Sequence, residues 1–255
     1  MRKLLCCFLC LPVFISATDL SPWTGYDVEL HPRVTPVVQK YPSHTNVLMG
    51  FGIEGSYDVW QVDFEVNVAR THKRELSLDD VRLTARYQLL NDILGDPVTL
   101  TAGLTLINTT RQTLHDPDLF HKGLVEGELH VAIGQEISCQ EYWTTRVWGA
   151  GLLGIANRGF PWVRLIGAWE KNWWNQNELG VFADFLCGFG NKSFHPHHFH
   201  GYGSVHHQSL DVGVSYKIYW DCDVITLGYS YRVFANNYPK NVSTFLLNLM
   251  IPIGL

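Results

Sequence analysis

Residues 60–68 read Trp60-Gln61-Val62-Asp63-Phe64-Glu65-Val66-Asn67-Val68. An apolar side chain occupies every second position of this stretch, and each position between carries an amide or a carboxylate. Successive side chains of a β-strand point to opposite faces of its sheet, whereas a helix would repeat its apolar residues three and four apart. The stretch therefore predicts a strand with one apolar face and one highly polar face.

The same alternation continues along most of the chain, as in residues 210–220 and 245–255. Several of the apolar faces end in aromatic side chains, such as Trp60, Tyr87 and Trp220, which is typical of membrane–water interfaces. Each alternating segment is near the 9–11 residues that a tilted membrane strand needs. The predicted strands are 23–31, 46–54, 57–69, 80–90, 97–107, 123–134, 142–155, 161–171, 177–189, 208–220, 223–234 and 243–255.

The links between these segments alternate in length, as they do in outer-membrane barrels with short periplasmic turns and longer external loops. An even number of strands puts both chain termini at the same end, which we predict to be periplasmic. Short links are predicted at 55–56, 91–96, 172–176 and 221–222, longer ones at 70–79, 108–122, 190–207 and 235–242, and 157–160 is brief where a long link is expected.

The chain begins with Arg2 and Lys3, a short apolar run and then Ser16-Ala17, which predicts a signal peptide over residues 1–17 and one domain over residues 18–255. Loss of Arg2 and Lys3 from the 19 basic residues leaves 17 against 24 acidic ones, a formal charge of −7. A chain this acidic is not expected to bind nucleic acid. The mature cysteines are Cys139, Cys187 and Cys222, and a disulfide between Cys139 and Cys222 stays an open question.

The export signal, the run of alternating segments and the apolar last strand together resemble the general class of bacterial outer-membrane β-barrel proteins. The resemblance implies an all-β fold, an antiparallel transmembrane β-barrel of about 12 strands in the outer membrane, surrounded by lipid and inserted by the outer-membrane machinery. Such chains commonly end in an aromatic residue, whereas this one ends in Leu255. The alternative is a secreted or periplasmic soluble β protein, whose apolar faces would point inward.

The polar faces of the predicted strands carry charges of both signs. Ion pairs between neighbouring strands, such as Asp63 and Glu65 with Arg82 and Arg86, would either fill a narrow lumen or form a charged constriction. The predicted lumen-facing residues are Asp63, Glu65, Arg82, Arg86, Glu126, Glu128, His130, Arg146, Asp184, Asp211, Lys217 and Arg232.

One predicted external loop holds six of the twelve histidines within residues 194–207. Imidazole clusters suit Zn²⁺ and other divalent transition metals, although a solvated histidine-rich loop fits the same pattern. The candidate ligands are His195, His197, His198, His200, His206 and His207.

These features favour a porin-like channel that passes small hydrophilic solutes through a narrow lumen of mixed charge. A closed barrel whose histidine-rich loop binds a metal or a surface ligand is the first alternative, and an outer-membrane hydrolase is the second. No catalytic constellation is identified in the sequence, so we do not expect an enzyme.

Overall fold

A computed structural model describes residues 20–24, 28–139, 142–220 and 223–254. The predicted signal peptide, Cys222 and Leu255 lie outside the described residues, and so does the question of a Cys139–Cys222 disulfide. The strands are β1 Glu29–Lys40, β2 Thr45–Tyr57, β3 Trp60–Thr71, β4 Arg74–Leu90, β5 Thr99–Thr109, β6 Val125–Cys139, β7 Tyr142–Ala156, β8 Trp162–Trp173, β9 Asn177–Phe189, β10 His206–Trp220, β11 Asp223–Asn236, β12 Ser243–Met250 and β13 Ile253–Gly254.

From β1 to β12, consecutive strands pair antiparallel, and β12 pairs with β1, so the sheet closes into a barrel. The two-residue strand β13 continues β12 and pairs with Glu29 and Leu30 of β1. The predicted antiparallel barrel of about 12 strands is confirmed.

The helices are short: α1, Arg111–Leu114, and four 3₁₀ turns at Asp92–Leu94, Pro117–Leu119, Pro196–His198 and Tyr202–Ser204. No helix in the described residues is long and apolar enough to cross a membrane.

Burial along β3 follows the alternation of its sequence, but with the polar side chains inside. Asp63 and Glu65 are 4% and 1% exposed, whereas Val62 and Phe64 on the other face are 46% and 44% exposed. The same arrangement recurs around the wall, where leucine, valine and aromatic side chains cover the outer surface. An apolar exterior around a polar interior fits lipid and contradicts the soluble alternative, which needs its apolar residues inside.

The predicted first strand, 23–31, is wrong, because β1 runs from Glu29 to Lys40. This region contains Pro32 and Pro36, and proline weakens the strand signal because it cannot donate a ladder hydrogen bond. Both prolines nevertheless lie within the strand and stay in register with Ile53 and Met49 of β2.

The predicted long link at 70–79 is also wrong, because β3 ends at Thr71 and β4 begins at Arg74. Leu76 and Leu78 are exposed and alternate with Glu75 and Ser77, so the strand pattern simply continues past the predicted boundary. The wall of the barrel is therefore taller at this hairpin than the sequence pattern indicated.

The connections divide between two ends of the barrel, which we call the loop end and the termini end. The loop end holds the turns 41–44 and 72–73, the longest loops, 110–124 and 190–205, and the connections 157–161 and 237–242. The termini end holds the start of β1, the end of β13 and the links 58–59, 91–98 and 174–176.

We expect Phe64→Arg to destabilise the folded barrel by about 2–4 kcal/mol, because the guanidinium would face hydrocarbon in the apolar belt. Urea unfolding, together with heat-modifiable mobility on unboiled gels, measures the effect. Leu94→Arg is the control, since Leu94 is 76% exposed in the link 91–98 at the edge of the barrel and should cost about 0–1 kcal/mol. Equal tolerance of the two substitutions would contradict the assignment of the faces.

Candidate functional site

The lumen is lined by paired charges. The structure places all twelve predicted lumen residues on the inner face of the wall. Arg82, Arg146, Asp184 and Lys217 line a central cavity. The other eight, Asp63, Glu65, Arg86, Glu126, Glu128, His130, Asp211 and Arg232, are buried.

Asp63 and Glu65 share one cation, and it is not the predicted one. Nη2 of Arg33 lies 2.7 Å from Asp63 Oδ2 and 2.7 Å from Glu65 Oε2, and all three side chains are almost fully buried. Arg33 belongs to β1 and lies beyond the predicted first strand, 23–31, so the sequence prediction does not include it.

The arginines expected to pair with these carboxylates have other partners. Arg82 lies opposite Glu65 in the β3–β4 register, but its guanidinium binds Asp80, two residues back along its own strand, at 2.9 and 3.1 Å. Arg86 donates to Gln61 Oε1 at 2.8 Å and to the backbone carbonyl of Ser21. The predicted pairing of Asp63 and Glu65 with Arg82 and Arg86 is therefore wrong.

Four further ion pairs lie around the lumen. They join cations and carboxylates from β6 to β11, so positive and negative groups alternate around the wall rather than separating into two patches. The pairs are Arg146–Glu136 at 2.7 Å, Arg164–Asp184 at 2.6 Å, Lys217–Glu178 at 2.9 Å and Arg232–Asp211 at 2.7 Å.

Residues 20–24, here called the luminal segment, lie inside the barrel against β4 to β7. Leu20 is buried in an apolar cluster with Ala132, Ala150 and Leu152 of β6 and β7. Thr101 Oγ1 of β5 donates to the carbonyl of Pro22 at 2.5 Å. The segment is thus held by both its side chains and its backbone.

Trp23 provides two further contacts at the termini end. Its indole Nε1 donates to Asp92 Oδ1 at 3.1 Å, and the guanidinium of Arg146 lies 4.5 Å from the centre of its ring. The sequence prediction places Trp23 in the first strand, whereas the structure places it in the luminal segment. The aromatic and apolar residues of 20–24 are the only sequence signal that marks a buried segment here.

Loops at the other end close over the barrel through an aromatic cluster, here called the aromatic cap. Tyr202 at its centre is fully buried, packs against Tyr238 at 4.6 Å between ring centres, and donates its hydroxyl to the carbonyl of Pro117 at 3.0 Å. Burial raises the pKa of Tyr202 well above its ordinary value, so the phenol stays a neutral donor. The members of the aromatic cap are Trp162, Leu186, Phe199, Tyr202, Val205, Ala235 and Tyr238.

Backbone contacts join the two longest loops beneath the aromatic cap. Tyr202 N donates to the carbonyl of His121 at 2.7 Å, and Gly203 N donates to that of Lys122 at 3.0 Å. A Cβ at Gly203 would lie 2.5 Å from the Lys122 carbonyl oxygen, so only glycine allows this approach. The loops 110–124 and 190–205 therefore pack as one unit.

A cavity of about 440 Å³ lies in the lumen beside the luminal segment. Its wall combines the paired charges with an apolar surface contributed mainly by β7, β8, β9 and β12. Charged lining residues include Arg82, Arg164 and Asp184, and apolar ones include Ile166, Phe182 and Leu246.

The five histidines of the predicted metal-binding loop whose side chains the structure describes do not come together. His207 points into the barrel and stacks on Tyr238, with its Nδ1 2.9 Å from the carbonyl oxygen of Val205. His200 instead contacts His115 of the other long loop, Nδ1 to Nδ1, at 3.1 Å. His195, His198 and His206 are exposed, and the side chain of His197 lies outside the described part of the structure.

Comparison with solved structures identifies the architecture. The crystal structure of an outer membrane channel from Pseudomonas putida F1 matches this chain with a TM-score of 0.65 and 12% sequence identity, over 94% of this chain and 100% of that one. The fold is that of a bacterial outer-membrane β-barrel. No protein-family model and no curated protein sequence matches the chain.

Two further matches belong to the same class at lower similarity. The translocator domain of the autotransporter NalP from Neisseria meningitidis has a TM-score of 0.49 at 10% identity, covering 89% of this chain and 88% of that one. The outer membrane protein OprD from Pseudomonas aeruginosa has a TM-score of 0.42 at 8% identity, covering 95% and 97%. The apolar outer belt and the fold shared with the Pseudomonas putida channel support the predicted location in the outer membrane.

We expect Arg33→Gln to lower the free energy of unfolding by about 3 kcal/mol, because it leaves two buried carboxylates without their cation. Urea unfolding measures the loss, and Arg111→Gln is the control, since Arg111 is an exposed residue of α1. The triple variant Arg33→Gln, Asp63→Asn, Glu65→Gln should recover most of the stability, since it removes the charges together. A neutral effect of Arg33→Gln alone would contradict the pairing.

The loop end should lose stability as the pH rises. His121 is buried, which by itself lowers its pKa, but the Asp79 carboxylate 2.6 Å from its Nε2 raises the pKa above the ordinary 6.5. A raised folded-state pKa contributes stability that is fully present below about pH 6.5 and is lost as the pH rises through the folded value. Urea midpoints measured from about pH 5 to about pH 9 should therefore fall more steeply for the native chain than for Asp79→Asn, and equal slopes would contradict the pair.

Proposed function

We propose that the protein is an outer-membrane channel for small solutes, with a lumen of mixed charge narrowed by the luminal segment and the aromatic cap. The observation that carries this proposal is the cavity of about 440 Å³ inside a closed transmembrane barrel. Eight-stranded barrels are filled by side chains and sixteen-stranded ones hold open channels, so twelve strands leave room for a partly filled lumen.

The distribution of charge defines which solutes suit this lumen. Cations and carboxylates are paired around the wall, as in Arg33 with Asp63 and Glu65, so the field of either sign is largely cancelled within a few ångströms. Strong selection of anions over cations is therefore not expected. Apolar side chains such as Phe182 and Ile166 also line the cavity. They favour small solutes that carry both polar and apolar groups.

The proposal includes an orientation. Outer-membrane barrels place their longer loops outside and their short turns in the periplasm. On that rule the loop end, with loops 110–124 and 190–205, faces outward, and the luminal segment enters from the periplasmic side. The barrel is inserted by the outer-membrane machinery and surrounded by lipid.

The hydrolase alternative draws no support from the histidines that face the lumen. Among the described residues, neither ring nitrogen of the inward-facing His130 has a hydrogen-bond partner, and Nε2 of His207 has none either, so no serine hydroxyl contacts them. Neither imidazole is therefore placed to activate a serine nucleophile.

Planar bilayer recordings test the proposal. We expect the native protein to give small, discrete conductance steps, and Trp23→Ala to raise them, because the substitution removes the contacts of the luminal segment with Asp92 and Arg146. Trp174→Ala is the control, since Trp174 is 77% exposed in the turn 174–176 at the same end of the barrel. An absence of discrete steps from correctly folded native protein and from Trp23→Ala would overturn the channel proposal.

A further inference from the structure

The strongest group of potential ligands outside the lumen lies at the loop end and joins three separate connections. His44 belongs to the turn between β1 and β2, His72 to the turn between β3 and β4, and Asp118 to the 3₁₀ turn Pro117–Leu119 in loop 110–124. One nitrogen of each imidazole and one oxygen of the carboxylate lie within 4.8 Å of one another. We propose that His44, His72 and Asp118 bind a divalent transition metal, with Zn²⁺ as the best-fitting ion.

Two of the three donor atoms lie close to the third. His44 Nε2 lies 2.8 Å and His72 Nδ1 lies 3.1 Å from the same atom, Asp118 Oδ2. Ligands of a tetrahedral Zn²⁺ at about 2.0–2.1 Å from the ion lie about 3.3 Å from each other. The two nitrogen–oxygen distances are therefore within a few tenths of an ångström of the spacing in a zinc site, and the two nitrogens lie within 4.8 Å of each other.

The chemistry of the set also fits. Two neutral imidazoles and one carboxylate are the ligands of many zinc sites that keep an open fourth position for water. His72 is exposed and Asp118 is buried, so the ion would reach the set from solvent and be held against the protein. Within the described residues the Asp118 carboxylate forms ion pairs with these two imidazoles and with no Lys or Arg, so an arriving cation has no resident cation to displace.

Neighbouring groups already hold the His44 ring in place. Ser43 Oγ lies 2.9 Å from His44 Nδ1, which leaves Nε2 as the nitrogen directed at Asp118. The ring of Tyr41 stacks on His44 at 4.5 Å, and its hydroxyl donates to the carbonyl of Asp118 at 3.1 Å. Supporting contacts of this kind fix the orientation of metal-binding histidines.

A second cluster, Asp79, Asp80 and His121, has comparable spacing but a different character. Asp80 already accepts two bonds from Arg82 and one from Asn67, and Asp79 is paired with His121. Its carboxylates are thus occupied by the protein's own cations and donors. The contrast singles out the His44 group as the metal site.

Bound metal would fasten loop 110–124 to two hairpin turns. Phe120 of this loop packs against the aromatic cap, and the loop also carries the carbonyls that accept from Tyr202 and Gly203. The metal would therefore stabilise the closed arrangement of the loop end, whether or not the lumen conducts.

Isothermal titration of the chelator-treated, folded full-length mature chain with ZnCl₂ tests the site. We expect one ion per chain, with affinity reduced by at least about tenfold in Asp118→Asn and in His72→Ala, since each loses a ligand. Ser43→Ala should weaken binding by about tenfold through the lost support of His44. The control is His195→Ala, His198→Ala, His200→Ala, which should bind Zn²⁺ as the native chain does.

Two results would overturn the proposal: no saturable binding to the native chain, or binding that is lost in the triple control and retained in Asp118→Asn. Heat-modifiable mobility establishes that each variant is folded, and His72→Ala keeps the test decisive if Asp118→Asn does not fold, because His72 is an exposed turn residue. Co²⁺ in place of Zn²⁺ gives an independent readout, since its visible absorption should show four-coordination in the native chain and lose it in His72→Ala.

Discussion

Closure of the sheet between β1 and β12 is the constraint on which the rest of the structure depends. Hydrocarbon offers no hydrogen-bond partner to a peptide group, so a membrane-spanning sheet must have no free edge. The register from Arg33 opposite Met250 to Lys40 opposite Ser243 provides that closure. Pro32 and Pro36 lie in this seam, and because proline has no N–H, they interrupt the ladder without leaving an unpaired donor in the membrane.

Closure at twelve strands creates a lumen that has to be filled. Small barrels fill it with side chains, but here the space also takes in ion pairs and the luminal segment. A buried charge needs a partner, and Arg33, placed between two carboxylates, shows how the strand that closes the barrel also neutralises its interior. The strand that closes the wall thus also supplies one of the buried cations inside it.

The sequence predicted the wall better than its contents. Alternation along β3 and its neighbours distinguishes the side chains that face the lumen from those that face lipid. The strand number and the residues of the inner face could therefore be predicted. Two features were hidden. The prolines of β1 weaken its strand signal, so neither this strand nor its Arg33 was predicted. The luminal segment, 20–24, is too short to show any periodicity. Partner choice within the lumen could not be predicted either, because the choice of Arg82 between Glu65 and Asp80 depends on side-chain geometry.

The histidines at the loop end show that residues close together in the sequence need not be close together in space. Residues 195–207 crowd histidines into one loop, yet consecutive residues of an extended chain point in different directions, and His207 turns into the barrel while His200 meets His115. His44 and Asp118 are 74 residues apart but meet, because in a barrel of sequential hairpins every second connection lies at the same end. The turns after β1 and β3 and the loop after β5 are therefore neighbours by topology. Once the strand order is known, ligand sets in such a barrel are better sought among alternate connections than within one loop.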